Sequence, residues 1–232
     1  MTSFIDPEFG EITVNRRRGS RSVRIKLGLD GRLVSTAPLY TPVIFIKRIV
    51  GSSRSELRKM LQQPGASENY TDGQIIGKNH QLVVVQTSMV KKPSTKVVRQ
   101  KLLVYLPPGN TIKDTDVQQI IRDSVIKILR REAKATLPGR LQALAAQHGF
   151  SYQRIRFSHS SGRWGSCSSA GTISLNIALM KLPDELINYV LLHELCHTRQ
   201  MNHSPAFWDE LQRYDPHLRL HKRQIKLHTP SV

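Results

Sequence analysis

The chain has 232 residues and a formal charge of +18, with 35 Lys and Arg against 17 Asp and Glu. At 39% hydrophobic and 22% charged residues it has the composition of a globular chain able to bury a core, which excludes collagen, a disulfide scaffold and an acidic disordered tail. No apolar run reaches the roughly 18–20 residues of a membrane helix. The acidic stretch at Asp6 and Glu8 does not fit a signal peptide, and two cysteines, Cys167 and Cys196, are too few for a disulfide framework. A cytoplasmic protein with no membrane contact is expected.

The charge is uneven. Residues 1–150 carry 25 Lys and Arg against 11 Asp and Glu, whereas residues 151–232 carry 10 against 6. Seven of the nine histidines follow residue 150. The basic surplus therefore belongs to the first part and any metal chemistry to the last. A basic surface attracts polyanions, so nucleic acid is a possible partner of the N-terminal region. Scattered lysines and arginines also make an ordinary solvated surface, and only Arg16, Arg17 and Arg18, with Arg21 and Arg24, form a tight cluster.

In chain order, residues 11–36 read as strands. Val23, Ile25 and Leu27 alternate with Arg24 and Lys26, and Asp30-Gly31 is a hairpin signal. Residues 43–62 have helical spacing, weakened at Gly51-Ser52-Ser53. Residues 64–73 read as a loop. Strands at 82–86 and 97–106 are expected to join the first hairpin in one twisted antiparallel sheet. A long helix follows from Thr115 to about Gln147, with Pro138-Gly139 expected to kink or divide it and Gly149 to stop it. Residues 154–158 and 172–175 read as strands around a Gly- and Ser-rich turn. A helix opens at Pro183-Asp184 and runs to about Met201, and Ser204-Pro205 starts another. The fold class is α+β. No internal repeat or low-complexity linker is visible. The composition shift at 107–114 suggests a β-rich basic region over 1–110 and a second domain over 111–232.

The strongest chemical signal is His193-Glu194-Leu195-Cys196-His197, an H-E-x-x-H pattern inside a predicted helix. At about 100° per residue, His193 and His197 fall on one face, one turn apart. Both imidazoles can reach one zinc ion, and Glu194, beside them, can take a proton from water. His203, six residues on, can supply a third ligand after the helix ends. Glu210 on the next helix is the alternative third ligand. Asp209 is a candidate acceptor for a ligand imidazole, while His217, His221 and His228 read as surface.

A second cluster is Arg163-Trp164-Gly165-Ser166-Cys167-Ser168. Arg163, Trp164 and Ser166 are candidate substrate-binding residues, with Arg163 placed to pair with an anionic group. The bland alternative is a hairpin whose Trp164 covers the core. Cys196 points inward by helical phase and reads as inert.

These motifs together resemble one family. Arg163 to Ser168, Ile173-Ser174-Leu175-Asn176, Pro183, Tyr189-Val190, the H-E-x-x-H segment, Asn202-His203-Ser204 and Phe207-Trp208 are similar in order and spacing to the YgjP-type metal-dependent hydrolases, relatives of the SprT-like and WLM-domain zinc metallopeptidases. The resemblance is strong over about 130–226 and looser over 11–106. It implies a zincin-like helical core with a short β-hairpin. It also implies one zinc per chain on His193, His197 and His203, with Glu194 as general acid/base. The implied activity is a zinc-dependent, metallopeptidase-like hydrolase acting on peptide or protein. Because a relative is described as a nucleoside-triphosphate pyrophosphatase, a nucleotide substrate is an alternative. A nucleic-acid-associated module carrying a protease-like zinc site is a third reading.

Overall fold

In unit one, Met1–Glu68, alternating side chains build a four-stranded sheet over two helices. The computed structural model describes residues 2–28, 32–62 and 69–232. Strand β1 (Thr2–Asp6) pairs antiparallel with β2 (Gly10–Arg17), and β3 (Arg24–Leu27) pairs antiparallel with β4 (Leu33–Pro38). The expected Asp30-Gly31 turn lies outside the described residues. The central pair, β2 and β4, is parallel, giving the order β1-β2-β4-β3. The period-2 pattern sends Phe4, Ile12, Val14, Leu33 and Ala37 to one face. There they meet Ile46 and Val50 of α1 (Val43–Ser52) and Leu57 of α2 (Arg54–Gln62) in a closed core. The break between the helices falls at Ser53, within the expected weak stretch Gly51-Ser52-Ser53.

In unit two, Asn69–Val232, the same strand order recurs. Strands β5 (Ile75–Ile76), β6 (His80–Gln86), β7 (Ser94–Val98) and β8 (Lys101–Leu106) line up as β5-β6-β8-β7, again with a parallel central pair. The expectation of one antiparallel sheet running through both regions is thus corrected: there are two separate mixed sheets. The crossover that parallel neighbours need is supplied by β3 and β7, each of which takes the outer edge beside β4 or β8, antiparallel to it. The strand β1 was also missed by sequence.

The composition shift at 107–114 falls inside unit two. Leu82, Leu102, Val104 and Leu106 of the sheet share a core with Val117, Ile121, Val125 and Leu129 of helix α3 (Thr115–His148). This 34-residue helix runs without interruption through Pro138, which neither divides it nor lies in its buried stripe. Gly149 closes it in the left-handed conformation at φ 68°, where glycine carries no Cβ penalty.

A three-stranded sheet follows, with β9 (Arg154–Ser158) parallel to β11 (Thr172–Asn176) and β10 (Gly165–Cys167) antiparallel to β11. The hairpin is therefore β10–β11, and the polar turn expected between 158 and 172 contains a strand. Helix α4 (Asp184–Cys196) is buried along most of its length through Leu186, Ile187, Val190, Leu191 and Leu195. It ends five residues before the expected Met201. Helices α5 (Pro205–Tyr214) and α6 (Leu218–Gln224) complete the unit. Among the described residues no helix is long and apolar enough to cross a membrane.

Candidate metal centre

Helix α4 carries His193 and Glu194 in its last turn, and His197 caps its C-terminus with its N–H on the His193 carbonyl. The chain then turns back, and Ser204-Pro205 starts α5, with Pro205 in the first turn where its missing N–H costs nothing. That turn brings His203 back over α4. One ligating atom each from His193, His197 and His203 lies within 4.8 Å of the others, the one such grouping of three metal-binding side chains among the described residues. The His203 Nε2 and His193 Nε2 atoms are 3.0 Å apart.

The donor chemistry fits a divalent cation. Burial, followed by the neighbouring His197, His203 and Lys222, holds His193 down to about 3. Burial with His197 and Lys222 also lowers His203. Neutral imidazoles are what a metal needs, and the facing Nε2 atoms of His203 and His193, 3.0 Å apart, can both turn to one cation when their protons sit on Nδ1. His197 turns its Nδ1 to the Gln200 carbonyl at 2.9 Å, which leaves Nε2 free on the side of the cluster. Phe207, fully buried on α5, stacks on His197 at 4.6 Å and fixes the ring plane.

Glu194, next to His193 in the last turn of α4, packs against Gly165 of β10. It is 4% exposed, and its Oε2 has no hydrogen-bond partner. Burial pushes its carboxyl up to about 8, against the pull of Arg163. The space it occupies exists because residue 165 is glycine. A Cβ there would stand 2.6 Å from Glu194 Oε1 and 2.7 Å from its Cγ. Sequence inspection singled out Arg163, Trp164 and Ser166 around this glycine, but a side-chain-sized gap between a strand and a helix leaves no local signal.

Strand β10 ends its sheet. Trp164 accepts from the Asn176 N–H at 2.8 Å and Ser168 donates to Thr172 at 3.0 Å. The alternation of an antiparallel ladder therefore turns the N–H and C=O of Gly165 and Cys167 to the open edge. Asn176, fully buried, fixes the approach to this strand by donating to the carbonyls of Ser160, Arg163 and Pro230. Trp164 is half-buried and packs against the main core, as the bland reading of that residue had it, while Arg163 is exposed and Ser166 half-buried.

The other downstream candidates are placed apart from the cluster. Glu210 accepts from Arg199 at 2.8 Å, and Asp209 is exposed. His221 pairs with the buried Asp215 at 2.9 Å. His217 and His228 are exposed. Cys196 is buried, with its thiol pushed up to about 12 by burial, and carries no reactive thiolate.

Two solved structures resemble part of the chain. The metallopeptidase zymogen abylysin of Pyrococcus abyssi is 26% identical over 37% of this chain and 87% of its own, with a TM-score of 0.34. The metallopeptidase zymogen jannalysin of Methanocaldococcus jannaschii is 22% identical over 38% of this chain and 90% of its own, also at 0.34. No match was found among curated proteins. The profile of the YgjP-like metallopeptidase domain matches residues 21–228, nearly the whole chain. The chain belongs to the YgjP-like metallopeptidase family.

Proposed function

We propose that this protein is a zinc-dependent peptide hydrolase in which His193, His197 and His203 hold one zinc ion and Glu194 is the general acid/base. Family membership supports the metallopeptidase class. The observation that carries the residue roles is Glu194 itself: a buried carboxyl with an unpartnered oxygen, next in sequence to one of three converging imidazoles. An orphaned buried carboxylate is costly to a fold and is retained where it does chemistry.

Bound zinc supplies Lewis acidity. The chain supplies the rest. Glu194 takes the proton of the attacking water and delivers it to the leaving nitrogen. The open edge of β10 offers the Gly165 and Cys167 amides to an extended peptide, which pairs there as an added strand. His197 is oriented by the Gln200 carbonyl, and Phe207 shields its ring from water.

Zinc content and cleavage of a casein-type protein test this reading. Glu194→Gln keeps about one zinc per chain and loses turnover by about 10²- to 10⁴-fold. His197→Ala loses the metal. Turnover retained in Glu194→Gln overturns the role of Glu194, and a metal-loaded wild type that cleaves no peptide overturns the peptidase reading.

A further inference from the structure

One cation stands beside the histidine cluster and a second at the head of the strand that packs on Glu194. Lys222, exposed on α6, places its Nζ 3.6 Å from the centroid of the Trp208 ring. Trp208 in turn stacks on His203 at 5.4 Å and 24°, and lies 6.1 Å from His193. Arg163, exposed just before β10, stands two residues from Gly165, the residue that packs against Glu194. Neither makes an ion pair among the described residues. Arg199 is paired with Glu210, and Arg140 and Lys78 with Asp184.

A free ammonium is a poor neighbour for a group of imidazoles that binds a cation, because like charges repel. Its position is specified all the same, since an ammonium over an indole face is held by the ring quadrupole. Arg163 is exposed at the start of the strand whose Gly165 packs on Glu194. An ammonium held on an indole beside the histidines and a guanidinium at the head of that strand, neither in an ion pair among the described residues, leave an anion as their missing partner.

We propose that the site takes acidic peptide segments, with Arg163 and Lys222 receiving Asp or Glu side chains near the bond to be cut. The inference rests on the peptidase reading above and names the substrate class of that site. Arg163 lies two residues before Gly165, so a strand pairing with the β10 edge carries its side chains past Arg163 at a spacing of about 7 Å per residue pair. The +18 charge of the whole chain favours encounter with acidic partners and disfavours basic ones.

The test uses the zinc-loaded full chain and three quenched fluorescent peptides of equal length, carrying Glu, Gln or Lys around the same central residues. Wild type is expected to cleave the Glu peptide about five- to tenfold faster in kcat/KM than the Gln peptide, with the Lys peptide slowest. Added salt narrows the gap. Lys222→Gln and Arg163→Gln each reduce the acidic preference, and Lys222→Glu shifts it toward the Lys peptide, while zinc content stays at wild-type level. In parallel, fluorescence anisotropy measures binding of the same peptides to zinc-loaded Glu194→Gln. Equal cleavage of all three peptides by wild type, or a preference unmoved by both substitutions, overturns the inference and leaves the peptidase reading standing. Tight selective binding of the Glu peptide with no cleavage by wild type overturns the peptidase reading and leaves acidic recognition standing. A single-stranded oligonucleotide that displaces the Glu peptide at far lower concentration than unlabelled Glu peptide also overturns the inference, because the cations then serve phosphates.

Discussion

Gly165 shows how little of a site its reactive groups define. With a Cβ 2.6 Å from Glu194 Oε1, alanine cannot be accommodated unless the carboxyl moves, and that carboxyl is walled in on a nearly fully buried helix. Gly165→Ala is expected to leave zinc content intact and to lower kcat more than KM, by about 10²-fold, the scale of a misplaced catalytic group. A variant with wild-type kcat would show that Glu194 tolerates displacement. The histidines and Glu194 were legible because helical phase converts sequence spacing directly into spatial proximity. His203 was legible less directly, through the Ser204-Pro205 start signal that forces the chain to turn. Gly165, the Gln200 carbonyl behind His197 and the Lys222–Trp208 contact were not legible, because each depends on two elements meeting.

Among the elements, β1 and α2 are tied by charge. Asp6 at the end of β1 accepts the Glu8 and Phe9 amides and the Arg54 guanidinium, and Glu8 bridges Arg54 and Arg58. Burial alone raises the Asp6 carboxyl, but the two amides and Arg54 outweigh it and hold it below its ordinary 3.8. A lowered carboxyl stabilises the fold above its unfolded pKa, and that contribution disappears as pH falls through the folded one. Asp6→Asn is expected to melt below wild type at pH 7, with the gap closing as pH falls below about 4. Thermal scans across that range check it, and a gap that stays constant in acid would remove the charge from the explanation. The helices α1, α3 and α5 were well marked by apolar period and by Gly149 and Pro205. The strands were worse, since period-2 alternation announces a strand and not its partner. That is why the parallel pairs β2–β4 and β6–β8 were missed and β10 was taken for turn.

For the whole molecule, the two cores share no residue: Ile12, Ile46 and their neighbours close one, and α3 with α4 the other. Ile46→Ala, at a fully buried position, is expected to cost unit one about 2–5 kcal/mol. Calorimetry should show that loss with zinc content and turnover of the protein unchanged at 25 °C. Loss of metal in this variant would mean that the units do not fold separately. The two four-stranded sheets also use one strand order twice within a single chain. During folding, each emerging strand therefore meets two edges of equivalent shape, and in chains with repeated modules strand exchange between copies is a recurring error. Identical copies would mispair readily. The strands that share the second place in that order differ in side chains, Glu11-Ile12-Thr13-Val14 in β2 against Leu82-Val83-Val84-Val85 in β6, and such differences give each strand a face that fits its own partner better than the other sheet's.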